Sequence, residues 1–223
     1  MGAIFDCVGI LANERPPYPQ PTSRCRVDIL EAMEDVSQYE SDMVYWLSEI
    51  RTLIDSSIHI PDSIMSGTPA SFDAFWRSLV YNRGPQFNYQ SPNMKSDLGL
   101  GISFGYWYLW KKLRMKRLWK QNICQDAIFS NILTTLAKPF EEAEGRVCNA
   151  RRFFVSNDGR FGWVPLRTQI GDHVCVFQGM RIPIILRSHN NRWEVIGACY
   201  VHGLMDGELW KIAGLEYKFI SFV

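Results

Sequence analysis

The chain carries almost no net charge. Its 223 residues hold 24 Lys plus Arg against 23 Asp plus Glu, a formal +1. That balance excludes a globally basic nucleic-acid binder and an acidic disordered tail. No two of the six cysteines (Cys7, Cys25, Cys124, Cys148, Cys175, Cys199) form a C-x-x-C pair, so the usual zinc and dithiol spacing is missing. Cys175 and Cys199 sit in apolar runs, where a reduced thiol behaves as a small hydrophobe, and the set reads as free thiols of a reducing compartment. The N-terminus lacks the basic start of a secretion signal, and Asp6 stands where a myristoylation motif needs Ser or Thr. The longest apolar stretch, Leu98 to Trp110, is too short for a membrane span. There is no G-x-S-x-G elbow, H-E-x-x-H or Walker loop, and the glycines of Leu98–Gly105 fail the dinucleotide spacing. The expectation is a cytoplasmic chain with no metal, no nucleotide or redox cofactor, no nucleic-acid partner and no membrane span.

Aromatic residues, by contrast, are plentiful: eight Trp, nine Tyr and thirteen Phe, within a 47% hydrophobic composition. Such a chain can bury a large core without covalent staples. Arg15 to Pro21 is a polyproline-like arm, expected to lie extended on the surface. From Asp28 to Ile54 the residues Ile29, Met33, Val36, Met43, Leu47, Ile50 and Ile54 share one side at about 100° per residue. They define an acidic amphipathic helix, in one piece or two. A turn region (Pro61–Gly67) precedes a helix from Ser71 to Asn82, with Pro69 tolerated near its start. Asn82 to Asp97 reads as a loop, and Ile102 to Asn122 as a helix that is aromatic first and basic afterwards. Its six cations scatter around the wheel, which favours a helix buried among neighbours with basic side chains reaching outward, some toward the acidic helix. A last helix, Asp126 to Glu144, is expected to place Ile128, Ile132, Leu133 and Leu136 inside, with Pro139 kinking or ending it.

After Gly145 short β-rich runs take over: 151–155, 161–164, 173–178, 182–187, 192–201 and 215–222, with Asn157-Asp-Gly159 as a tight-turn signal. The predicted architecture is α+β, one domain over 1–223. A mainly helical part (26–147) packs on a mainly β part (148–223), a small antiparallel barrel or curled sheet.

The β part also carries a resemblance. Arg151-Arg-Phe-Phe, Asn157-Asp-Gly159, Gly162, Pro165, Gly171-Asp172, Gly179, Pro183 and Leu186-Arg187 form an ordered series. It ends in Gly197-Ala-Cys-Tyr200-Val-His202-Gly203-Leu-Met-Asp206-Gly207-Glu208. Together with Phe75-Trp76-Arg77-Ser-Leu79 and Asn82-Arg83, this resembles the C-terminal region of fungal heterokaryon-incompatibility (HET-domain) proteins, over roughly residues 70 to 210. Two departures stand out. Ala198 replaces a usual acidic residue, and nothing before residue 70 resembles the N-terminal HET module, so the death-effector activity is not carried over.

Tyr200 and His202 share strand parity and point to one face, with Asp206 just beyond and Arg187 ending a nearby strand. These four are the candidate catalytic residues. Hydrogen bonding within a turn and a structural ion pair are the plainer roles for Asp206 and Arg187, the latter with Asp206, Glu194 or Glu208 as partner. Trp107, Trp110, Trp163 and Trp193 are the candidate lining of an apolar substrate pocket. Two functions fit. One is a cofactor-independent cyclase of fungal specialised metabolism acting on an apolar terpene- or polyene-like small molecule, of which an intramolecular Diels–Alder cycloaddition is one form. Catalysis would rest on substrate folding and one hydrogen-bond donor. The alternative is a non-enzymatic sensor or protein-interaction module descended from incompatibility proteins. The sequence leaves the oligomeric state open.

Overall fold

A computed structural model describes residues 1–17, 29–56, 70–83, 98–115, 127–147, 150–190, 192–205, 208 and 217–222. Among them are four helices, α1 (Ile29–Asp55), α2 (Ala70–Leu79), α3 (Leu98–Met115) and α4 (Ala127–Val147). Seven strands accompany them: β1 (Gly2–Leu11), β2 (Arg151–Ser156), β3 (Phe161–Pro165), β4 (His173–Phe177), β5 (Ile184–His189), β6 (Arg192–Ala198) and β7 (Tyr200–Val201). The strands form one sheet in the order β6-β5-β4-β1-β2-β3-β7, with every neighbouring pair antiparallel. The fold is α+β, and the sheet does not close into a barrel.

Two bent runs of chain give the sheet its shape. The first half of β1 pairs with β4 (Gly2 opposite Phe177 to Cys7 opposite His173), and its second half pairs with β2 (Val8 opposite Ser156 to Leu11 opposite Phe154). At the far side β6 pairs with β5 and β7 with β3, and Cys199 alone separates β6 from β7. The edges of the rolled sheet are thus joined by the chain itself, without a hydrogen-bonded ladder between β6 and β7.

β1 is the main departure from the sequence reading, which places no strand before residue 151. Bulges between Ile4 and Asp6 and between Val8 and Ile10 break its alternation, so the period-two signal is lost although the strand is central. Asp6 is held inward, its Oδ1 accepting from the amides of Cys7 (2.8 Å) and Asp158 (3.3 Å).

The half of the sheet formed by β2, β3 and β7 is covered on both sides. Phe153, Val155, Phe161, Trp163 and Tyr200 face the helices, while Phe154, Val164 and Val201 face the inside of the roll with Val8, Val174, Val176, Ile185 and Ile196. Two-sided burial explains the unbroken apolar runs of these strands. Against them α1 packs the predicted stripe: Met43, Leu47, Ile50 and Ile54 are fully buried. Trp46 stands 5.8 Å from Trp163, centroid to centroid.

α4 corrects a second expectation. It buries Leu133, Ala137, Phe140 and Ala143, whereas Ile128, Ile132 and Leu136 are 72%, 51% and 40% exposed. The helix also runs through Pro139 to Val147. Beside that proline the Ser103 hydroxyl donates to the Leu136 carbonyl (2.7 Å) and accepts from the Phe140 amide (3.1 Å), bridging two groups that pair in an undisturbed helix. The expected reach of basic α3 side chains toward α1 is met through a ring: Lys111 Nζ lies 5.7 Å from the Tyr39 centroid, and 3.9 Å from Glu141 of α4. The run 215–222 is not an extended strand over its described part, where Lys218 and Phe222 form isolated bridges to Gly2 and Trp193.

Candidate functional site

The two separated stretches that carry the resemblance meet in space. Tyr200 ends up beside α2 and the turn after it because β7 lies against β3, where Gly162 opposes Val201. A Cβ on Gly162 would stand 1.8 Å from the Tyr200 carbonyl oxygen, so only glycine permits this approach. Tyr200 Oη and His202 Nδ1 are 2.7 Å apart, and both side chains are buried. The Tyr81 ring stacks on Tyr200 at 4.6 Å and 3°, and Phe161 stacks on His202 at 5.1 Å and 19°. The His202 amide donates to the Phe161 carbonyl (2.8 Å), which fixes the turn.

Beneath this pair α2 holds a buried ion pair. Asp73 Oδ2 accepts from Arg77 Nε (3.0 Å) and its Oδ1 from Trp76 Nε1 (2.9 Å), while Arg77 also donates to Asn82 Oδ1 (2.8 Å). Trp163 Nε1 donates to the Ser78 carbonyl (2.8 Å), tying β3 to the end of the same helix. Tyr81 and Asn82 adopt the left-handed conformation with φ of 54° and 53°, which turns the chain back onto Tyr200 and Arg77.

Burial is the main cause that pushes the His202 pKa down to about 4; the Arg77 cation adds to this and Asp73 opposes it. The imidazole is therefore neutral at pH 7. The neutral ring and the Tyr200 phenol share one hydrogen bond between Nδ1 and Oη.

The other candidates are elsewhere. Arg187, on β5, makes a bidentate pair with Asp172 (Nε to Oδ1 2.8 Å, Nη2 to Oδ2 2.8 Å) and also donates to the Arg167 carbonyl (2.9 Å). Its partner is thus Asp172 rather than the acids expected from sequence. Hydrogen bonding to that carboxylate raises the Arg187 pKa. Asp172 in turn accepts from the Gln169 amide (2.8 Å), a turn contact. Asp206 lies outside the described residues. Trp107 and Trp163 belong to the helix–sheet core and Trp110 is buried, while Trp193 is half-buried on β6 with its ring 5.0 Å from His173. Asp73, Arg77 and Asn82 were not among the sequence candidates; an Asp and an Arg spaced i, i+4 in a short apolar helix are the signal that marks them.

Of the thiols described, Cys7, Cys175 and Cys199 are free. Burial raises the Cys175 pKa to about 11 and that of Cys199 further, so both stay protonated and inert. Among the described residues no group of three or more His, Cys, Asp or Glu is placed to hold a metal, and no helix is long and apolar enough to cross a membrane.

Fold and site together define an α+β protein in which a rolled antiparallel sheet is locked to a helical layer by a buried polar cluster. Residues 130–220 match the model of the Het-6 beta-barrel domain, a C-terminal region associated with heterokaryon incompatibility proteins, and no match to a HET module accompanies it. Neither the curated proteins nor the solved structures compared with the chain include a match.

Proposed function

We propose that the chain is a non-enzymatic sensor or protein-interaction module related to heterokaryon-incompatibility proteins. The observation that carries this reading is the enclosure of Tyr200 and His202. A catalytic acid or base must come within hydrogen-bond reach of its substrate. Here the phenol and the imidazole bond each other at 2.7 Å, and the rings of Tyr81 and Phe161 cover them. Their role is to hold the sheet to α2. The module offers partners the outer face of α4, where Ile132 and Leu136 stand out beside Ile128 and Phe129. A contiguous apolar patch of that kind marks contact surfaces. The cyclisation reading draws on the same aromatic content but asks for a polar tip open to substrate.

The test compares the wild-type chain with the Ile132→Lys, Leu136→Lys double variant in quantitative affinity capture, with far-UV circular dichroism as the check on folding. A partner recovered by the wild type and lost by the folded variant supports the module and its face. Equal recovery removes the α4 face. Turnover of a polyene or terpene substrate that disappears in folded His202→Ala would overturn the module reading.

A further inference from the structure

Residues 217–222 lie over a sheet face whose apolar cluster contains no helix residue. Cys175, Ile184 and Leu186 form it, with Phe177, Trp193, Ala198 and Ile220 packed against them. This tail is clasped at both free edges of the half-sheet β6-β5-β4-β1. Gly2 lies in the half of β1 that pairs with β4 and not with β2, and it exchanges main-chain hydrogen bonds with Lys218 (3.0 and 2.9 Å). Trp193 lies on β6, the end strand of the sheet, and its amide donates to the Ser221 carbonyl (2.9 Å). Between the clasps Ile220 enters the cluster, and the Phe222 ring meets Phe177 at 5.8 Å. Farther along the β6 edge the carbonyls of Val195 and Ile196 accept from Arg167 (2.6 and 3.1 Å). The fold itself closes that stretch and leaves the Trp193 amide to the tail.

The clasp is light. Among the described residues three main-chain hydrogen bonds hold the tail, against six residue pairs in the β5–β6 ladder. The tail also fills its seat incompletely, since Phe222 is 45% exposed and Phe219 90%. Segments held by few contacts open at a cost well below that of global unfolding. We propose that the tail is a displaceable strap and that the face beneath it docks a short apolar segment of another protein. A carbonyl of that segment takes the Trp193 amide, as in strand addition to a sheet edge. An aliphatic side chain, followed two residues later by an aromatic one, fills the seats of Ile220 and Phe222. A tethered tail competes at an effective concentration that is roughly millimolar. It therefore excludes weak segments and yields to one that buries its ring where Phe222 stays half exposed. The inference rests on the reading of the chain as an interaction module and gives that module a second face, so loss of capture at α4 and loss of docking here are separate results.

The test uses the full chain, as wild type and as Ile220→Asp, which drives the strap out of the apolar cluster; Ile220→Ala is the second variant if the first does not fold. The probe is a fluorescent peptide with the tail sequence Tyr-Lys-Phe-Ile-Ser-Phe-Val, and the control peptide carries Asp in place of its Ile. By anisotropy the probe is expected to bind the folded variant saturably, and the wild type, whose groove is taken, at least tenfold more weakly. The control peptide should bind the variant at least tenfold more weakly than the probe. In hydrogen exchange the Trp193 amide should open at least tenfold faster in the variant, while that of Val174 keeps its rate. The proposal is overturned if the probe does not bind the folded variant up to about 1 mM. It is also overturned if the wild type or the control peptide binds as tightly, or if the Trp193 amide exchanges alike in both proteins. A wild type that dimerises in sedimentation equilibrium, with a monomeric Ile220→Asp variant, would give the groove to the tail of a second copy and overturn the assignment to another protein.

Discussion

His202→Phe separates the work of the buried imidazole from that of the ring. Phenylalanine preserves the stack on Phe161 but removes the Nδ1 that Tyr200 Oη meets at 2.7 Å. At pH 7 the wild type should be the more stable by about 1 kcal/mol, the usual worth of one buried hydrogen bond. The informative quantity is how that gap changes with acidity. In the fold the His202 pKa is pushed down to about 4, from the ordinary 6.5 that the unfolded chain retains. Between these values the unfolded chain binds the proton and the folded chain does not, so this contribution to stability is present above about pH 6.5 and is lost as pH falls toward 4. From pH 7 to 4.5 the loss is about 2 kcal/mol. Other groups titrate in the same window, but they do so in both proteins and cancel in the difference. Urea unfolding of both at several pH values therefore isolates the histidine, and the variant should overtake the wild type near the acid end. A stability difference that stays constant from pH 7 to 4.5 would refute the account of a neutral, desolvated imidazole.

Two further perturbations test other joints. Arg187→Gln leaves the carboxylate of Asp172 buried without its bidentate cation and should cost about 2 kcal/mol, a fall of roughly 4–8 °C in Tm by thermal scanning; a Tm within a degree of wild type would remove the pair from the stabilising set. Removing residues 2–11 strips the central strand from between β2 and β4, so the shortened chain should show no cooperative unfolding transition and poor amide dispersion by NMR, whereas a dispersed spectrum would mean that the two half-sheets stand without β1.

What the sequence revealed depended on how far each local pattern survived packing. The α1 stripe was legible because Met43, Leu47, Ile50 and Ile54 repeat over many turns and meet one continuous surface. The Asn157-Asp-Gly159 turn was legible because its glycine takes a left-handed φ of 79°. α4 misled because it carries two apolar stripes. Hydropathy favours Ile128, Ile132 and Leu136, but the smaller Ala137 and Ala143 are the residues that pack inward with Phe140. β1 was hidden by its bulges and by Asp6. At the site, the shared face of Tyr200 and His202 followed from parity alone. Their neighbours Tyr81, Asp73 and Arg77 lie more than a hundred residues earlier, and no spacing rule joins them. The Asp172 partner of Arg187 was likewise invisible, since a loop carboxylate is placed by the hairpin rather than by periodicity.

The aromatic excess that first suggested a substrate pocket has an architectural cause. The inside of the rolled sheet is filled chiefly by Val8, Val164, Val174, Val176, Ile185, Ile196 and Val201, with Phe154 as its one fully buried aromatic. Compact β-branched side chains suit a narrow interior between strands. The space between sheet and helices is filled instead by Trp46, Phe75, Trp76, Phe104, Trp107, Phe140, Phe153, Phe161, Trp163 and Tyr200. Broad rings span the gap between a twisted sheet and round helices, and their polar tips need partners once buried. Trp163 finds the Ser78 carbonyl, Trp76 finds Asp73, and Tyr200 finds His202. Each of these bonds consumes a polar group that a pocket would have presented to a ligand. Trp107, whose buried N–H finds none, is the exception among these core tryptophans.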